Sequence, residues 1–453
     1  MSHFRSPGRL LLTGLLLALG AAFPAAAGVL VQCPGDLNGD AVPDHYYKVI
    51  SGVKTPVPVG TPGAIVNPAW KPNVRCMHIS CGDGYQTMGD GASIYTFGFS
   101  DLTGTPPAAA LQTAFLEANW PAPSIVLDEG DEFYLTLTNV NFALRPDLFD
   151  PHTVHFHGFP QASSVFDGMP EGSIGILGGN SLTYYYKIVI PGTYMYHCHQ
   201  EAAEHMQQGM LGNLYVRPAQ DKLASQTLPG GFPHVQGSLY AYNDGDGSTK
   251  ADVEIPIQLG SFDAWFHNTE QGIQGANFTL EDPKYAQLNG RGYPDTVNPD
   301  PLPITPAEDN FQNPWPGVLP TKTTQNVSSR ITAASGQKIL LRFSSLDTTK
   351  FFTVTALGLP WKVVGLDGRL LDRCTQVAGV ECLNGSTVSP SVVAAPKNYY
   401  KTSSITLGGG MSADVLIDTT GLSGTFFLYT TNLNYLSNAA QDYGGMMTEI
   451  VIQ

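Results

Sequence analysis

Charged residues are scarce in this chain, at 13%, and positive ones are scarcer still: 23 lysines and arginines stand against 38 acids, for a formal charge of −15. Nucleic acid is excluded as a partner on this ground, since a phosphate backbone is held by clustered positive charge. An acidic surface serves solubility, or else suits a cationic substrate, a metal ion or a basic redox protein. Long amphipathic helices are also lacking, and 108–118 is one of few stretches that reads as a short helix. Beyond the N-terminus no apolar run approaches the ~20 residues that cross a bilayer, so no transmembrane segment is expected. Cysteines number only six.

At the N-terminus, Arg5 and Arg9 precede an apolar run from Leu10 to Phe23 and a small-residue end at Ala25-Ala26-Ala27. Residues 1–27 read as a secretory signal, which makes the protein exported, to a periplasm or the extracellular space. An oxidising compartment pairs most cysteines. Cys374 and Cys382 are expected to close a loop, while Cys33, Cys76 and Cys81 leave an odd thiol that is free or ligates a metal.

What the chain has in abundance is turn material, 49 glycines and 34 prolines, between short runs of Val, Ile, Thr, Tyr and Phe. That composition predicts an all-β protein of sandwich type. Residues 28–105 form a Gly-rich N-terminal extension, 106–217 a first sandwich, 218–250 a linker and 251–453 a second sandwich. The stretch Gly424-Thr-Phe-Phe-Leu-Tyr-Thr-Thr repeats Gly192-Thr-Tyr-Met-Tyr-His-Cys-His, and Gly445-Met446 repeats Gly209-Met210. An internal duplication is expected, in which Tyr429, Thr430 and Thr431 replace His197, Cys198 and His199 and so remove the metal chemistry.

Two short segments hold most of the reactive side chains: His152-Thr-Val-His155-Phe-His157-Gly158, and His197-Cys198-His199 followed by His205 and Met210. Side chains alternate along a strand, so Cys198 must face away from the side shared by His197 and His199. His152 likewise faces away from His155 and His157. Two imidazoles, a thiolate and a thioether are the donors of a blue copper site, which predicts His152, Cys198, His205 and Met210 around one ion. The neutral nitrogens of His155, His157, His197 and His199 suit copper, zinc or iron, and the thiolate neighbour favours copper.

At these residues the sequence resembles the multicopper oxidases, whose pattern His-x-x-His-x-His-Gly and His-Cys-His, followed by His and Gly-Met, is matched by His152–Gly158 and His197–Met210. Pro123-Ser-Ile-Val, Glu129-Gly130-Asp131, Asn289-Gly290-Arg291 and Val364–Gly368 extend the likeness from about Trp120 to the C-terminus. The resemblance implies two cupredoxin-like Greek-key domains. It also implies a type 1 copper that takes single electrons from a small reductant or metal ion, and a type 2/type 3 cluster at the four other histidines that reduces dioxygen. Asp167 resembles a family acid that assists proton delivery there, although an ordinary Asp-Gly turn accounts for it equally well.

The family builds its cluster from four His-x-His motifs and this chain has two, with Thr353, Thr355 and His267 as the second unit's nearest offerings. Three readings stay open: a homo-oligomer that completes the cluster, a specialised oxidase or nitrite-reductase-like enzyme with one or two coppers at the four histidines, and a blue-copper electron carrier without turnover. Two further sets are weaker. Asp36, Asn38, Asp40 and Asp44 stand at calcium-loop spacing but lack the glycine and acid that complete such a loop. Cys76, Met77, His78, Cys81 and Met88 form a soft copper site or, more simply, contain half of a disulfide.

Overall fold

The computed structural model of the protein describes residues 29–145, 150–160, 162–272, 275, 277–304, 322–372 and 397–453. The expected leader and the expected Cys374–Cys382 loop lie outside them. No helix among the described residues is long and apolar enough to cross a membrane.

The first sandwich packs two four-stranded sheets. One runs in the order Ser93–Asp101, Val74–Thr87, Glu132–Asn139, Ser181–Lys187; the other runs Ala122–Asp128, Leu211–Arg217, Gly192–His197, His155–His157. Alternation makes these strands: along Glu132–Asn139, Phe133, Leu135 and Leu137 enter the core, where they meet Tyr184, Tyr186, Phe156 and Tyr196. Each such side chain contributes roughly 1.5–3 kcal/mol by leaving water.

The expected extension over 28–105 is corrected by this topology. Val74–Thr87 pairs in parallel with Glu132–Asn139, from Val74 opposite Glu132 to Cys81 opposite Asn139, so the first sandwich begins near Val74. Gly82 and Gly84 dilute the β-pattern of that strand, and the pairing partner lies 58 residues onward in sequence. Cys33 bonds to Cys76, which overturns the soft copper alternative there. Cys81 is a free, buried thiol, and His78 turns its Nε2 to Thr138 Oγ1 at 2.8 Å. In the acidic loop, Asp36 accepts backbone N–H groups of Asn38, Gly39 and Ala41, and Asp44 accepts that of Leu37.

The second sandwich, whose sheets have seven and five strands among the described residues, contains a copy of the first one's pairings. Gly424–Thr430 pairs with Met447–Ile452 as Gly192–His197 pairs with Leu211–Arg217, and with Phe352–Ala356 as the earlier strand pairs with His155–His157. Opposite Tyr429 stands Thr355, where His155 stands opposite His197. The register therefore makes Thr355 and Leu357 the counterparts of His155 and His157, one turn of the pleat later than the expected Thr353 and Thr355. Even the backbone bond from Cys198 N to Met210 O (3.0 Å) has its copy, from Thr430 N to Met446 O (3.1 Å).

The domains meet along the Gly192–His197 strand, whose residues are all buried because the first core lies on one face and the second domain on the other. Arg342 is fully buried between Glu254 (Nε to Oε1, 2.6 Å) and Asp414 (Nη1 to Oδ1, 3.1 Å), and its Nη1 also donates to Thr193 Oγ1 across the interface. Trp120 stacks on Phe262 in a mixed apolar cluster with Met195, Leu211 and Leu346.

Candidate metal centre

Cys198 directly follows the Gly192–His197 strand and enters the first core with no exposure. Its Sγ lies 3.2 Å from His205 Nδ1 and 3.8 Å from His152 Nδ1, and all three donors are buried within 4.8 Å of one another. His205 comes from a short helix, Ala202–Gln208, capped by Gly209, and Met210 N donates to His205 O at 2.9 Å. Met210 is itself fully buried. Phe142 and Phe97 stack on each other and place ring edges against His152 and His205, closing the site from water.

Burial sets the protonation states. It pushes the Cys198 thiol up to about 11, draws His205 down to about 3 and holds His152 well below the ordinary imidazole range. The imidazoles are therefore neutral donors, and a thiol so reluctant to ionise in an apolar core becomes a thiolate on binding a cation. Thr153 donates its N–H to Cys198 Sγ (3.5 Å) while its Oγ1 accepts from His199 N (3.1 Å). Sequence reading missed this link; its only signal is a hydroxyl residue set between two ligand candidates.

On the other face of the same strands, His155, His157 and His197 bring one nitrogen each within 4.8 Å. His199 stands just outside that triple, its ring 5.1 Å from His155 and 5.5 Å from His197. His155 Nδ1 donates to Asp167 O (2.6 Å) and His197 Nδ1 to Cys198 O (2.7 Å), which leaves both Nε2 atoms as the acceptors a metal needs. Burial lowers His155 and His157 and brings His197 to about 3. The Asp167 carboxylate lies 3.5 Å from His155 Nδ1.

Residues 103–221, which contain both segments, match the family model of the multicopper oxidases. That stretch is similar to a multicopper oxidase domain. Among curated relatives, laccase abr2 of Aspergillus fumigatus is 28% identical over 67% of this chain and 55% of its own length. Multicopper oxidase MCE of Talaromyces pinophilus is 31% identical over 42% of this chain and 29% of its own. The chain thus spans about half the length of the first relative and less of the other. In fold it resembles a blue copper oxidase from Nitrosomonas europaea (TM-score 0.54, 19% identity, 84% and 86% of the two chains) and a copper nitrite reductase from the same organism (TM-score 0.51, 15% identity, 84% and 94%).

The thiolate site fits a single copper: two buried nitrogens and one sulfur converge, with a thioether residue pinned beside them. A cluster of three coppers does not fit the described residues of one chain. Thr355, Leu357, Tyr429 and Thr431 occupy the second domain's equivalent positions. His267, the other candidate, is a buried structural residue whose ring nitrogens bond Tyr95 O and Gln207 O. The open side of the four histidines is a cleft of about 570 Å³, walled by the chain's own Asp347–Phe351 and Gly409–Gly410. Gly410 has φ +85°, and a Cβ there would stand 2.6 Å from His157 Nε2, so glycine lets the second domain approach this closely.

Proposed function

We propose that the protein is an exported, laccase-type copper oxidoreductase. His152, Cys198, His205 and Met210 would hold a type 1 copper and His155, His157, His197 and His199 further copper, and these ions would supply one-electron transfer from a small reductant to dioxygen. The observation that carries this reading is the position of Cys198, which joins the two donor sets through one peptide unit on either side. Bound copper would supply the one-electron couple that no side chain here provides.

The chain's own residues do the rest. Buried imidazoles and the aromatic wall of Phe97 and Phe142 exclude water from the thiolate, and backbone bonds from Cys198 and Met210 hold the loop that carries His205. Asp167 fixes the tautomer of His155 through its carbonyl, and its carboxylate, partly open to solvent, can hand protons to that end of the cleft. The apolar leader and the Cys33–Cys76 bridge support export to an oxidising compartment.

Copper counting on purified protein, combined with optical and paramagnetic resonance spectra and oxygen uptake, tests the reading. A strong thiolate-to-copper band, a second copper signal without thiolate character and reductant-dependent oxygen uptake are expected. In Cys198→Ser the visible band disappears and uptake falls more than ~100-fold while the second signal stays. One copper per chain with thiolate bands alone would replace the oxidase by an electron carrier, and a colourless, copper-free protein would end both.

A further inference from the structure

The open side of the four histidines is larger than dioxygen needs. The cleft there measures about 570 Å³, the liquid volume of roughly twenty waters. Cavities of roughly 300–1,000 Å³ are the size that takes a small organic molecule. Glycine keeps this one open. A Cβ on Gly410 would stand 2.6 Å from His157 Nε2, and one on Gly408 would collide with the Phe351 ring. Phe351 packs over that turn and remains 71% exposed, an aromatic face at the rim of the cleft. Leu346 and Met206 add apolar wall. Asp347 and Lys350 carry the formal charges of the lining, and both are engaged away from the cleft. Asp347 accepts the Ser261 hydroxyl and the N–H groups of Thr349 and Lys350, and Lys350 Nζ lies 3.7 Å from Asp282.

We propose that this cleft binds an uncharged aromatic molecule, a single ring seated on Phe351 with its hydroxyl turned to His157, His197 and His199, so that an organic ligand reaches the four-histidine centre directly. The seating of the ring stands on the cleft itself; only its meeting with a metal rests on the copper reading of those histidines. A planar ring that leaves water for Phe351, Leu346 and Met206 is favoured in proportion to the apolar area it covers, and contact with an aromatic face and a thioether adds to this. A charged ligand would bring its ion against apolar wall without a free counter-charge, which penalises it. The hydroxyl has a partner in His197 Nε2, which the bond from Nδ1 to Cys198 O leaves as an acceptor. The cleft therefore selects a molecule with one flat apolar body and one polar end.

The test uses the full chain and 4-fluorophenol, whose fluorine resonance reports binding without turnover. Metal-free protein is titrated first, with 4-fluorobenzoate as the charged comparison. Phe351 is exposed, so Phe351→Ala leaves folding intact, and an unchanged Tm verifies this. The expected result is saturable binding of the phenol, a Kd weakened ~5- to 10-fold in Phe351→Ala and restored in Phe351→Trp, and benzoate binding weaker than phenol by at least ~10-fold. Cys198→Ser loaded with copper under argon, which keeps copper at the four histidines, then broadens the fluorine line of the bound phenol by paramagnetic relaxation. No saturable binding, a Kd indifferent to Phe351, or benzoate bound as tightly as phenol would each overturn the site and leave the copper reading standing. Copper retained in Cys198→Ser without broadening would place the ring elsewhere and overturn it as well. Wild type and Cys198→Ser that both hold no copper would instead remove the copper reading, and the metal-free titration still decides the cleft.

Discussion

Asp83 shows how a single carboxyl can tie stability to pH. It is 2% exposed, accepts N–H bonds from Ala143 and Leu144 and a hydroxyl bond from Tyr95, and burial still raises its pKa from 3.8 to about 6. A raised acid pKa means that the folded state holds the proton more tightly than the unfolded one. Its contribution is complete below about pH 4 and is lost as pH climbs toward 6. Asp83→Asn removes this term, so the stability of wild type relative to the variant should fall across pH 4 to 6, by on the order of 3 kcal/mol at most, and its relative Tm with it. Parallel Tm curves across that range would contradict the assignment. Sequence reading passed over Asp83 because an acid between two glycines in a Gly-rich stretch looks like a turn; only the strand pairing of Val74–Thr87 buries it.

At the scale of elements, the helix Ala202–Gln208 and its cap decide where His205 and Met210 stand. Gly209 has φ +116°, and a Cβ there would come within 2.8 Å of Phe97 O and of Thr96 Oγ1. Thr96 Oγ1 also donates to Gln208 O, which locks the helix end against the Ser93–Asp101 strand. Gly209→Ala should therefore displace Met210, alter the position or intensity of the thiolate band and lower stability by roughly 1–3 kcal/mol. An unchanged spectrum would show that the cap does not control the site. The helix was hidden in the sequence: its seven residues are too few for a periodic signal, and nothing local says that it packs on a strand a hundred residues earlier. The donor pairing of the strands was legible, because alternation alone separates Cys198 from His197 and His199.

For the molecule as a whole, the Arg342 network holds the two sandwiches in register. Its guanidinium is unexposed and bonded to carboxylates from two strands of the second domain and to a hydroxyl of the first, while Arg217 reaches Glu254 from the first domain at 2.8 Å. Arg342→Met leaves buried Asp414 without its cation and Glu254 with Arg217 alone, a change that costs about 3–5 kcal/mol when a buried pair is broken. Urea unfolding should register that loss, together with a weaker signal from copper at the four histidines, since the cleft beside them is half made by the second domain. A loss under ~1 kcal/mol would mean that the interface is held chiefly by apolar contacts such as Trp120 on Phe262.

The sequence alone determined which side chains are grouped and on which face of a strand they lie, because two-residue periodicity is a local property of the backbone. It also determined that the second sandwich is a copy without the ligand cysteine, since His197-Cys198-His199 and Tyr429-Thr430-Thr431 can be compared directly. Tertiary structure decided what depends on long-range pairing. It placed Val74–Thr87 in the first sandwich, matched Leu357 to His157 through register, and buried His267 as a packing residue. It also gathered Asp150, Glu201 and Glu204 behind His205. Those outcomes are set by which surfaces meet across the two cores, and no local pattern encodes that meeting.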